Sequence, residues 1–294
     1  MKDFPNLSLE DSRTYLPPHF HRNEESYDAF IAFIMDFYRA HGRDFLWRET
    51  SDPYHVLLSE MMLQQTQTSR VLPKYELFLS LWPTLEDLAL SGLDELLYHW
   101  KGLGYNRRAL NLRKCAAISK QWNWTLPREQ EQLRSLPGVG KATAAAIGAF
   151  SFQERTIYLE TNIRRVVLSC FFPEEDQIRD KELEAILEKL ILRVDDPKHW
   201  YYALMDYGVL LKYLLPNANI RSAHYAKQAR FENSNRQIRG QLIHLLSETG
   251  AKEKRDIFSL LSHFEEERVS YCLVQLQKEG FVEEKSEVYR IAKA

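Results

Sequence analysis

The chain of 294 residues contains only three cysteines, Cys115, Cys170 and Cys272, which are too scattered for a metal knuckle or a disulfide framework. No apolar run reaches transmembrane length, and the opening residues do not follow the pattern of a signal peptide. Heptads and longer internal repeats are also absent. These absences disfavour membrane, disulfide-framework and repeat proteins. We expect a protein of the reducing cytosol, associated with the nucleoid if it is bacterial.

Net charge is close to zero at −2, but the charge is unevenly distributed along the chain. Residues 101–165 contain 12 lysines or arginines and 4 acids, a balance of +8, whereas residues 236–294 are neutral. A local excess of this size favours a polyanionic partner at that face.

Helical periodicity of apolar residues runs through most of the chain and predicts an all-α fold. We predict helices near 25–41, 54–66, 69–81, 84–90, 93–100, 106–121, 129–135, 141–151, 161–171, 180–193 and 197–214. Residues 1–24, which are rich in proline and polar residues, are predicted to form a wrapping or loose arm.

A different pattern begins after the polar stretch 216–235. Three short helical segments are followed by an alternating stretch from Phe281 to Ile291 that is typical of a β-hairpin. Three helices and a hairpin are the elements of a winged helix. The alternative is a small packing appendage. Neutral charge and the triplet Glu265–Glu267, at the start of the would-be recognition helix, disfavour ordinary DNA readout.

A tight turn, Leu-Pro-Gly-Val-Gly-Lys at 136–141, separates two predicted helices. Its glycines permit positive φ angles and leave the backbone N–H groups accessible at the start of the next helix, where a phosphate oxygen can bind. We therefore expect DNA contacts from the residues of this hairpin: Gly138, Val139, Gly140, Lys141 and Thr143. An ordinary glycine turn between helices is the alternative reading.

Two carboxylates are candidates for acid–base chemistry. Glu60 lies among leucines and methionines, where burial raises a carboxyl pKa and makes the group a proton donor near neutrality. Glu160 precedes Thr-Asn-Ile-Arg-Arg at the start of a predicted helix. The alternatives are a solvent-facing Glu60 and a Glu160 that caps its helix.

Polar and aromatic residues near these acids are candidates for nucleic-acid contacts. The amides of Gln64 and Gln65 and the hydroxyl of Thr66 suit base edges. In the Gly-Leu-Gly-Tyr-Asn-Arg stretch, Tyr105 is a candidate wedge for a base stack and Arg107 a candidate cation. Arg48 could pair with a carboxylate or with a phosphate.

Four motifs occur together and in order: Leu-Leu-Ser-Glu-Met-Met-Leu-Gln-Gln-Thr-Gln, Gly-Leu-Gly-Tyr, Leu-Pro-Gly-Val-Gly, and the acid-X-Asn-Ile-Arg-Arg-Val motif. In this respect the chain resembles the helix–hairpin–helix DNA glycosylases, and among them the adenine-specific branch. The similarity runs from about residue 40 to 211 and again through the stretch Asn-Arg-Gln-Ile-Arg-Gly at 235–240.

The resemblance implies a fold of two all-α subdomains and a division of the chain into four parts. These are an arm at 1–24, a terminal helical subdomain at 25–52 plus 171–232, a helical subdomain with the hairpin at 53–170, and the winged-helix-like module at 236–294. It also implies that Glu60 protonates the departing base and that Glu160 stabilises the cationic sugar, with Asn162 beside it. Contacts to mismatched double-stranded DNA are implied for Arg48, Gln64, Gln65, Thr66, Tyr105 and the hairpin.

The chain departs from the family pattern in ways that change the expected chemistry. Ala142 stands where the bifunctional relatives have lysine, so no strand-cleaving Schiff base is expected. Glu160 replaces the usual aspartate. The four positions that correspond to cluster cysteines are Lys212, Asn219, Ser222 and Gln228, so we expect no iron–sulfur cluster and no other cofactor. We also do not expect the large C-terminal domain with which many members of the family recognise the lesion.

The sequence thus predicts a monomeric, monofunctional glycosylase that removes adenine opposite 8-oxoguanine or guanine. Two alternatives stay open: a glycosylase of the same fold for another base, and a DNA-binding protein that has lost catalysis.

Overall fold

The computed structural model describes residues 3–225 and 231–293. In these residues the chain is mainly helical, with sixteen α-helices, three short 3-10 helices and three strands. The α-helices are α1 Leu9–Ser12, α2 Glu24–His41, α3 Leu46–Glu49, α4 Pro53–Leu63, α5 Thr68–Leu81, α6 Leu85–Leu90, α7 Leu93–Trp100, α8 Arg107–Ile118, α9 Gln130–Ser135, α10 Lys141–Phe152, α11 Thr161–Phe171, α12 Asp180–Ile191, α13 Pro197–Leu214, α14 Asn235–Thr249, α15 Lys254–Leu260 and α16 Glu266–Lys278. The 3-10 helices are Arg13–Tyr15, Ser119–Trp122 and Ala218–Arg221, and the strands are β1 Lys252–Glu253, β2 Val282–Lys285 and β3 Val288–Ile291.

The all-α architecture predicted from periodicity is confirmed. Each long helix lies within a few residues of its predicted segment, because burial of one apolar face fixes both the period and the extent of the element. Helices α1 and α3 and the three 3-10 segments are too short to show a period, and the sequence did not predict them.

The chain divides into two compact units. The first comprises Met1–Val56, Arg128–Arg134 and Val139–Lys227. Its core is aromatic where α2, α11 and α13 pack together: Phe30 meets both Phe171 and Trp200 edge to face, with ring centroids 4.9 and 6.0 Å apart. Edge-to-face pairs of this kind add to the free energy gained from area burial alone.

The N-terminal arm packs on the first unit. Phe4, Leu7 and Phe20 are buried, and the Tyr207 hydroxyl donates a hydrogen bond to the Tyr15 carbonyl oxygen at 2.9 Å. Of the two forms that the sequence left open for residues 1–24, the described part of the arm adopts the wrapping one.

A fully buried carboxylate, Asp206 on α13, joins the loop after α2 to α3. Its oxygens accept hydrogen bonds from the backbone and side chain of Arg43 at 2.8 Å and from both terminal nitrogens of Arg48 at 2.7 and 2.8 Å. Burial acts to lower the pKa of Arg48, but the bonds to Asp206 outweigh it and raise the pKa. Two paired guanidinium groups thus compensate the desolvation of the carboxylate.

The second unit comprises Leu57–Pro127, Ser135–Gly138 and Gln228–Ala294. Here α6 and α7 pack on α8, and α14 packs on α7. The C-terminal residues form three helices and an antiparallel sheet of order β1-β3-β2, in which Lys252 pairs with Tyr289 and Val282 with Ile291. This is the predicted winged-helix-like pattern, with β1 as an additional strand that two residues are too few to predict.

The division into units differs from the boundaries that the resemblance implies, because residues 139–170 pack within the first unit. Through α10 and α11 they contact α13. In the described parts of the chain, no helix combines the length and the apolar character required to cross a membrane.

Candidate functional site

Arg108 binds the two loops of the second unit that carry candidate DNA-contacting residues, the turn at 64–66 and the loop at 101–106. The residue is buried, and its two terminal nitrogens donate hydrogen bonds to six oxygen atoms. These are the carbonyl oxygens of Met61, Met62, Gln64, Leu103 and Gly104 at 2.5–2.9 Å, and the Thr66 hydroxyl at 3.1 Å. One guanidinium therefore connects the end of α4 and the turn after it to the loop before α8.

The turn at Gln64–Thr66 is bound by Arg108 and by the loop before α8. Gln65 adopts a left-handed backbone conformation with φ of 57°, and the Thr66 hydroxyl donates to the Leu103 carbonyl oxygen at 3.1 Å. Thr66 thus contributes to the loop architecture, while the partly exposed Gln64 and Gln65 side chains border a cavity of this unit.

Glu60 lies on α4, one turn before that hydrogen-bonded end. It is half-buried between the buried residues Ser59 and Met61, and its carbonyl oxygen accepts a hydrogen bond from Gln64 N at 3.2 Å. Glu60 therefore sits among leucines and methionines on a helix whose last residues accept hydrogen bonds from Arg108. A carboxyl group at this position is a candidate proton donor.

Tyr105 closes the loop before α8 and also has a left-handed backbone, with φ of 47°. Its hydroxyl accepts a hydrogen bond from Arg236 of α14 at 2.8 Å, and the Arg236 guanidinium lies 5.4 Å from its ring centroid. The neighbouring Arg107 side chain is 62% exposed and pairs with Glu279 at 2.7 Å. Both candidate DNA-contacting residues of this loop are thus also contacts of the C-terminal module.

The hairpin turn has the predicted left-handed glycine at its first glycine position. Gly138 has φ of 76°, and an added Cβ there would lie 2.5 Å from the Asn111 side-chain nitrogen. The preceding Pro137 carbonyl oxygen accepts a hydrogen bond from the Cys115 thiol at 3.2 Å. Glycine is therefore required at 138 by the fold itself.

Gly140, the second glycine of the turn, does not use the positive φ that glycine permits. Its backbone is extended, with φ of −86° and ψ of −177°, and an added Cβ would meet no atom within 4 Å. It occupies the N-cap position of α10, whose first helical hydrogen bond is donated by Ala144 N. The fold of the described residues does not require glycine at 140, so the space above it is open to a ligand that approaches the helix N-terminus.

The remaining hairpin residues are less accessible than the sequence suggested. Val139 and Thr143 are buried, so their side chains are not offered to a partner at the surface. Lys141 is 57% exposed, but its ammonium group pairs with Glu184 at 2.6 Å. The backbone at 138–141 and the exposed side chain of Lys141 remain the candidate phosphate contacts of this turn.

Glu160 caps α11 in the first unit. One carboxylate oxygen accepts hydrogen bonds from Asn162 N at 2.8 Å and Ile163 N at 2.9 Å, and the other accepts a weaker bond from the Asn162 amide at 3.3 Å. Burial raises the pKa of Glu160, while these backbone bonds and the charges of Arg165 and Arg164 oppose the rise. The capping alternative is thus realised, and it fixes the direction of the carboxylate.

Asn162 is itself positioned by residues that the sequence analysis did not single out. Its side-chain oxygen accepts a hydrogen bond from Arg165 at 3.0 Å, and Arg165 also donates to the Gly208 carbonyl oxygen at 2.8 Å. An added Cβ at Gly208 would lie 2.4 Å from the Asn162 carbonyl oxygen, so glycine allows α13 to approach the start of α11. The Met-Asp-X-Gly pattern at 205–208 was the available sequence signal.

Arg48 requires a correction. The sequence left a carboxylate or a phosphate as its partner, and the resemblance favoured DNA. The side chain is 7% exposed and bound to Asp206, so its guanidinium is committed to the core of the first unit. Its two terminal nitrogens face the carboxylate and the Arg43 carbonyl oxygen, which leaves no exposed edge for a phosphate.

The positions that correspond to cluster cysteines carry donors that do not suit iron. Lys212 is exposed, the Asn219 amide donates to the Thr161 carbonyl oxygen at 3.1 Å, and the Ser222 hydroxyl accepts from His224 N at 3.2 Å. Gln228 lies outside the described residues. All three cysteines are buried and unbonded to one another, and the described residues contain no group of three or more metal-ligating side chains. This donor set does not fit an iron–sulfur cluster.

Comparison with known proteins gives consistent matches. Residues 58–193 match the family model described as the HhH-GPD superfamily base excision DNA repair protein. An adenine DNA glycosylase of Mycolicibacterium smegmatis is 32% identical over 237 residues, covering 74% of this chain and 80% of that protein. An adenine DNA glycosylase of Buchnera aphidicola (subspecies Baizongia pistaciae) is 37% identical over 188 residues, covering 62% of this chain.

This chain spans about half of the Buchnera relative, 53% of its length. Among solved structures, a thermostable thymine-DNA glycosylase superposes with a TM-score of 0.55 at 26% identity, covering 62% of this chain and 85% of that one.

The open space at Gly140 gives a test of phosphate binding in which an added Cβ meets no atom of the described fold within 4 Å. We expect Gly140→Val to lower the melting temperature only slightly, because valine is a poorer N-cap residue than glycine. It should weaken binding to matched and mismatched duplexes by the same factor, because phosphate contacts carry no sequence information. The slope of log affinity against log salt should fall by about 1 for each phosphate that the variant no longer binds. Fluorescence anisotropy titrations at several salt concentrations measure both quantities.

The contrasting variant is Gly138→Val, which should lower the melting temperature because of its left-handed φ and the contact with Asn111. If Gly140→Val weakened binding only to one mismatch, the turn would be reading bases and the phosphate assignment would be wrong.

Proposed function

Because the chain belongs to the HhH-GPD superfamily of base excision DNA repair proteins, we propose that it is a monofunctional DNA glycosylase that removes adenine paired with 8-oxoguanine or guanine. The relatives at 32% and 37% identity are named adenine DNA glycosylases. The observation that carries the proposal is the Glu160 carboxylate, which is fixed in direction by α11 and Asn162 and retains capacity on its second oxygen.

Glu60 is assigned the role of general acid. Its proton passes to the adenine ring as the bond between C1′ and N9 breaks, so that the bonding electrons leave with a neutral base. The half-buried position of Glu60, beside the buried Ser59 and Met61 and one turn before the end of α4 that Arg108 holds, supports this assignment.

Glu160 is assigned the role of electrostatic stabiliser. Loss of the base leaves positive charge on the sugar ring, as in glycoside hydrolysis, and an ionised carboxylate lowers the energy of that state. Water then forms the new bond to C1′, keeps one proton as the sugar hydroxyl group and releases the other, which replaces the proton that Glu60 gave up. The cap bonds fix the carboxylate and so limit the freedom that its extra methylene would otherwise add, relative to aspartate.

The protein cleaves the glycosidic bond but not the DNA strand. Ala142 at the first turn of α10 supplies no amine for a Schiff base, so the abasic strand is left intact. The substrate is double-stranded DNA with a mismatch or lesion, bound by a monomer. Gln64, Gln65 and Tyr105 are assigned to contacts with that duplex, together with the backbone of the hairpin.

A glycosylase for another base is the second candidate. It is favoured by the glutamate at 160 and by the solved structure of 26% identity, which is a thymine-DNA glycosylase. A panel of duplexes with each mismatch, treated with alkali to cleave abasic sites, distinguishes the two candidates and also a protein that only binds.

Glu60→Gln should reduce single-turnover excision of adenine by at least about 100-fold, because an amide cannot donate the required proton. Binding to the same duplex should persist, since the side chain keeps its size. The matched control is Glu76→Gln on the exposed face of α5, which should excise at the wild-type rate. Substantial excision by Glu60→Gln would remove Glu60 from the mechanism.

Glu160→Gln should slow excision by about 100- to 1000-fold, because it removes charge but keeps a capping oxygen. Glu160→Asp should retain activity, and the exposed control Glu174→Gln should be unaffected. Protonation abolishes the charge of Glu160, and burial raises its pKa. The wild-type excision rate should therefore fall as the pH drops, with a midpoint above the usual glutamate pKa of about 4.3.

This acid limb should be absent from the residual activity of Glu160→Gln. If Glu160→Gln excises adenine as fast as the wild type, Glu160 only caps α11 and has no part in catalysis.

We further propose that the protein works without an iron–sulfur cluster. The purified protein should be colourless and should contain far less than one iron per chain, measured by mass spectrometry and visible absorption. A brown protein with stoichiometric iron that resists chelation would contradict the proposal.

A further inference from the structure

Glu279, the C-cap residue of α16, is shared by two arginines of the second unit. Its Oε2 atom accepts a hydrogen bond from a terminal nitrogen of Arg239 at 2.6 Å and lies 2.7 Å from a terminal nitrogen of Arg107. Arg239 belongs to α14 of the C-terminal module, whereas Arg107 begins α8, directly after the loop that carries Tyr105. One carboxylate oxygen therefore connects the module to a candidate DNA-contacting cation.

The position of Glu279 is not explained by its own helix. A negative charge at the C-terminus of a helix is disfavoured by the helix dipole, which favours cations there. Burial acts to raise the pKa of Glu279, but the bonds and charges of Arg239 and Arg107 outweigh it and lower the pKa. The carboxylate is therefore ionised near neutrality, and the two arginines stabilise it where α16 does not.

A second acid of the module makes the same kind of contact at the other end of the loop before α8. Glu248 of α14 lies 3.1 Å from the Lys101 ammonium group and 3.0 Å from a ring nitrogen of His244. The side chains of Lys101 and Arg107 are 54% and 62% exposed, so both can reach a partner in solvent. Acids of the module thus pair with the cations at both ends of this loop.

A carboxylate and a DNA phosphate are bound by the same N–H donors of arginine and lysine. A cation that pairs with an acid of its own protein must give up that contact, or share it, before it binds a phosphate. The phosphate contact then adds less to the affinity for DNA than it would for an unpaired cation.

We propose that the C-terminal module uses Glu279, supported by Glu248, to occupy the contacts that DNA phosphates would otherwise make at the loop before α8, and thereby weakens binding to undamaged duplex. The proposal rests on the proposed function, because it requires DNA to approach this loop. Since phosphate contacts carry no sequence information, the effect is the same for any base sequence. The module therefore acts as an electrostatic competitor of DNA.

The experiment measures binding to a fully matched duplex, which contains no base to excise, by fluorescence anisotropy at several salt concentrations. Glu279→Gln should bind this duplex about two- to fivefold more tightly than the wild type at low salt, as the strength of an exposed ion pair allows. The slope of log affinity against log salt should steepen by about 1 for each cation that gains a phosphate. Glu248→Gln should change both quantities in the same direction.

The matched control is Glu266→Gln, which makes the same change in net charge at the opposite end of α16 and should keep the wild-type affinity. A double-mutant cycle isolates the ion pair. Arg107→Gln should weaken binding more in the Glu279→Gln background than in the wild type, because only there is its guanidinium released from the acid. A general loss of stability would act in both backgrounds and cancel in the cycle.

If Glu279→Gln binds the matched duplex no more tightly than the wild type, or if the cycle shows no coupling to Arg107, the acid only fastens the module and the proposal is wrong. An equal gain in Glu266→Gln would also refute it, because net charge alone would then account for the change.

The test does not depend on catalysis. A protein that excises no base from any duplex, yet gains affinity in Glu279→Gln, would refute the proposed glycosylase and retain the competing role of the module.

Discussion

The buried guanidinium of Arg108 is the interaction on which the second unit's contact loops depend. Desolvation lowers its pKa to about 10, so the group stays charged near neutrality and must be satisfied by acceptors within the protein. Carbonyl oxygens from two chain segments supply them, and Gln65 and Tyr105, which directly follow the acceptors Gln64 and Gly104, have left-handed backbones. Lysine could not replace it, because one ammonium group has three donors and no planar fork.

In the first unit the charged group that the protein must hold in place is a carboxylate. Glu160 is directed by the N–H groups of its own helix and by Asn162, which Arg165 and the close approach at Gly208 hold in turn. Each unit thus contains one of the two candidate catalytic acids. The hydrogen bonds that hold the Glu160 carboxylate matter because a fixed charge can stabilise another charge without reorganisation during a reaction.

The long helices and the two candidate acids could be predicted from the sequence, because each has a local pattern. A helix shows a period of apolar residues, and the acids are charged residues in an apolar stretch or at a helix start. The sequence did not predict the contacts of Arg108, whose partner Met61 lies 47 positions away, or of Gly208, whose neighbour Asn162 is on another helix. Contacts of this range follow from packing and not from spacing. The same holds for Arg48. The sequence predicted a DNA contact for this cation, but its partner is Asp206, which lies far away in the sequence.

The burial of all three cysteines has a consequence for the conditions under which the protein can act. Burial raises the pKa of Cys115 to about 12 and also raises that of Cys170 and Cys272, so the reactive thiolate is scarce at each position. Peroxide attacks the thiolate and needs access to it. Oxidation of these three thiols by peroxide should therefore be slow, so thiol oxidation is not a route by which the described fold loses its structure.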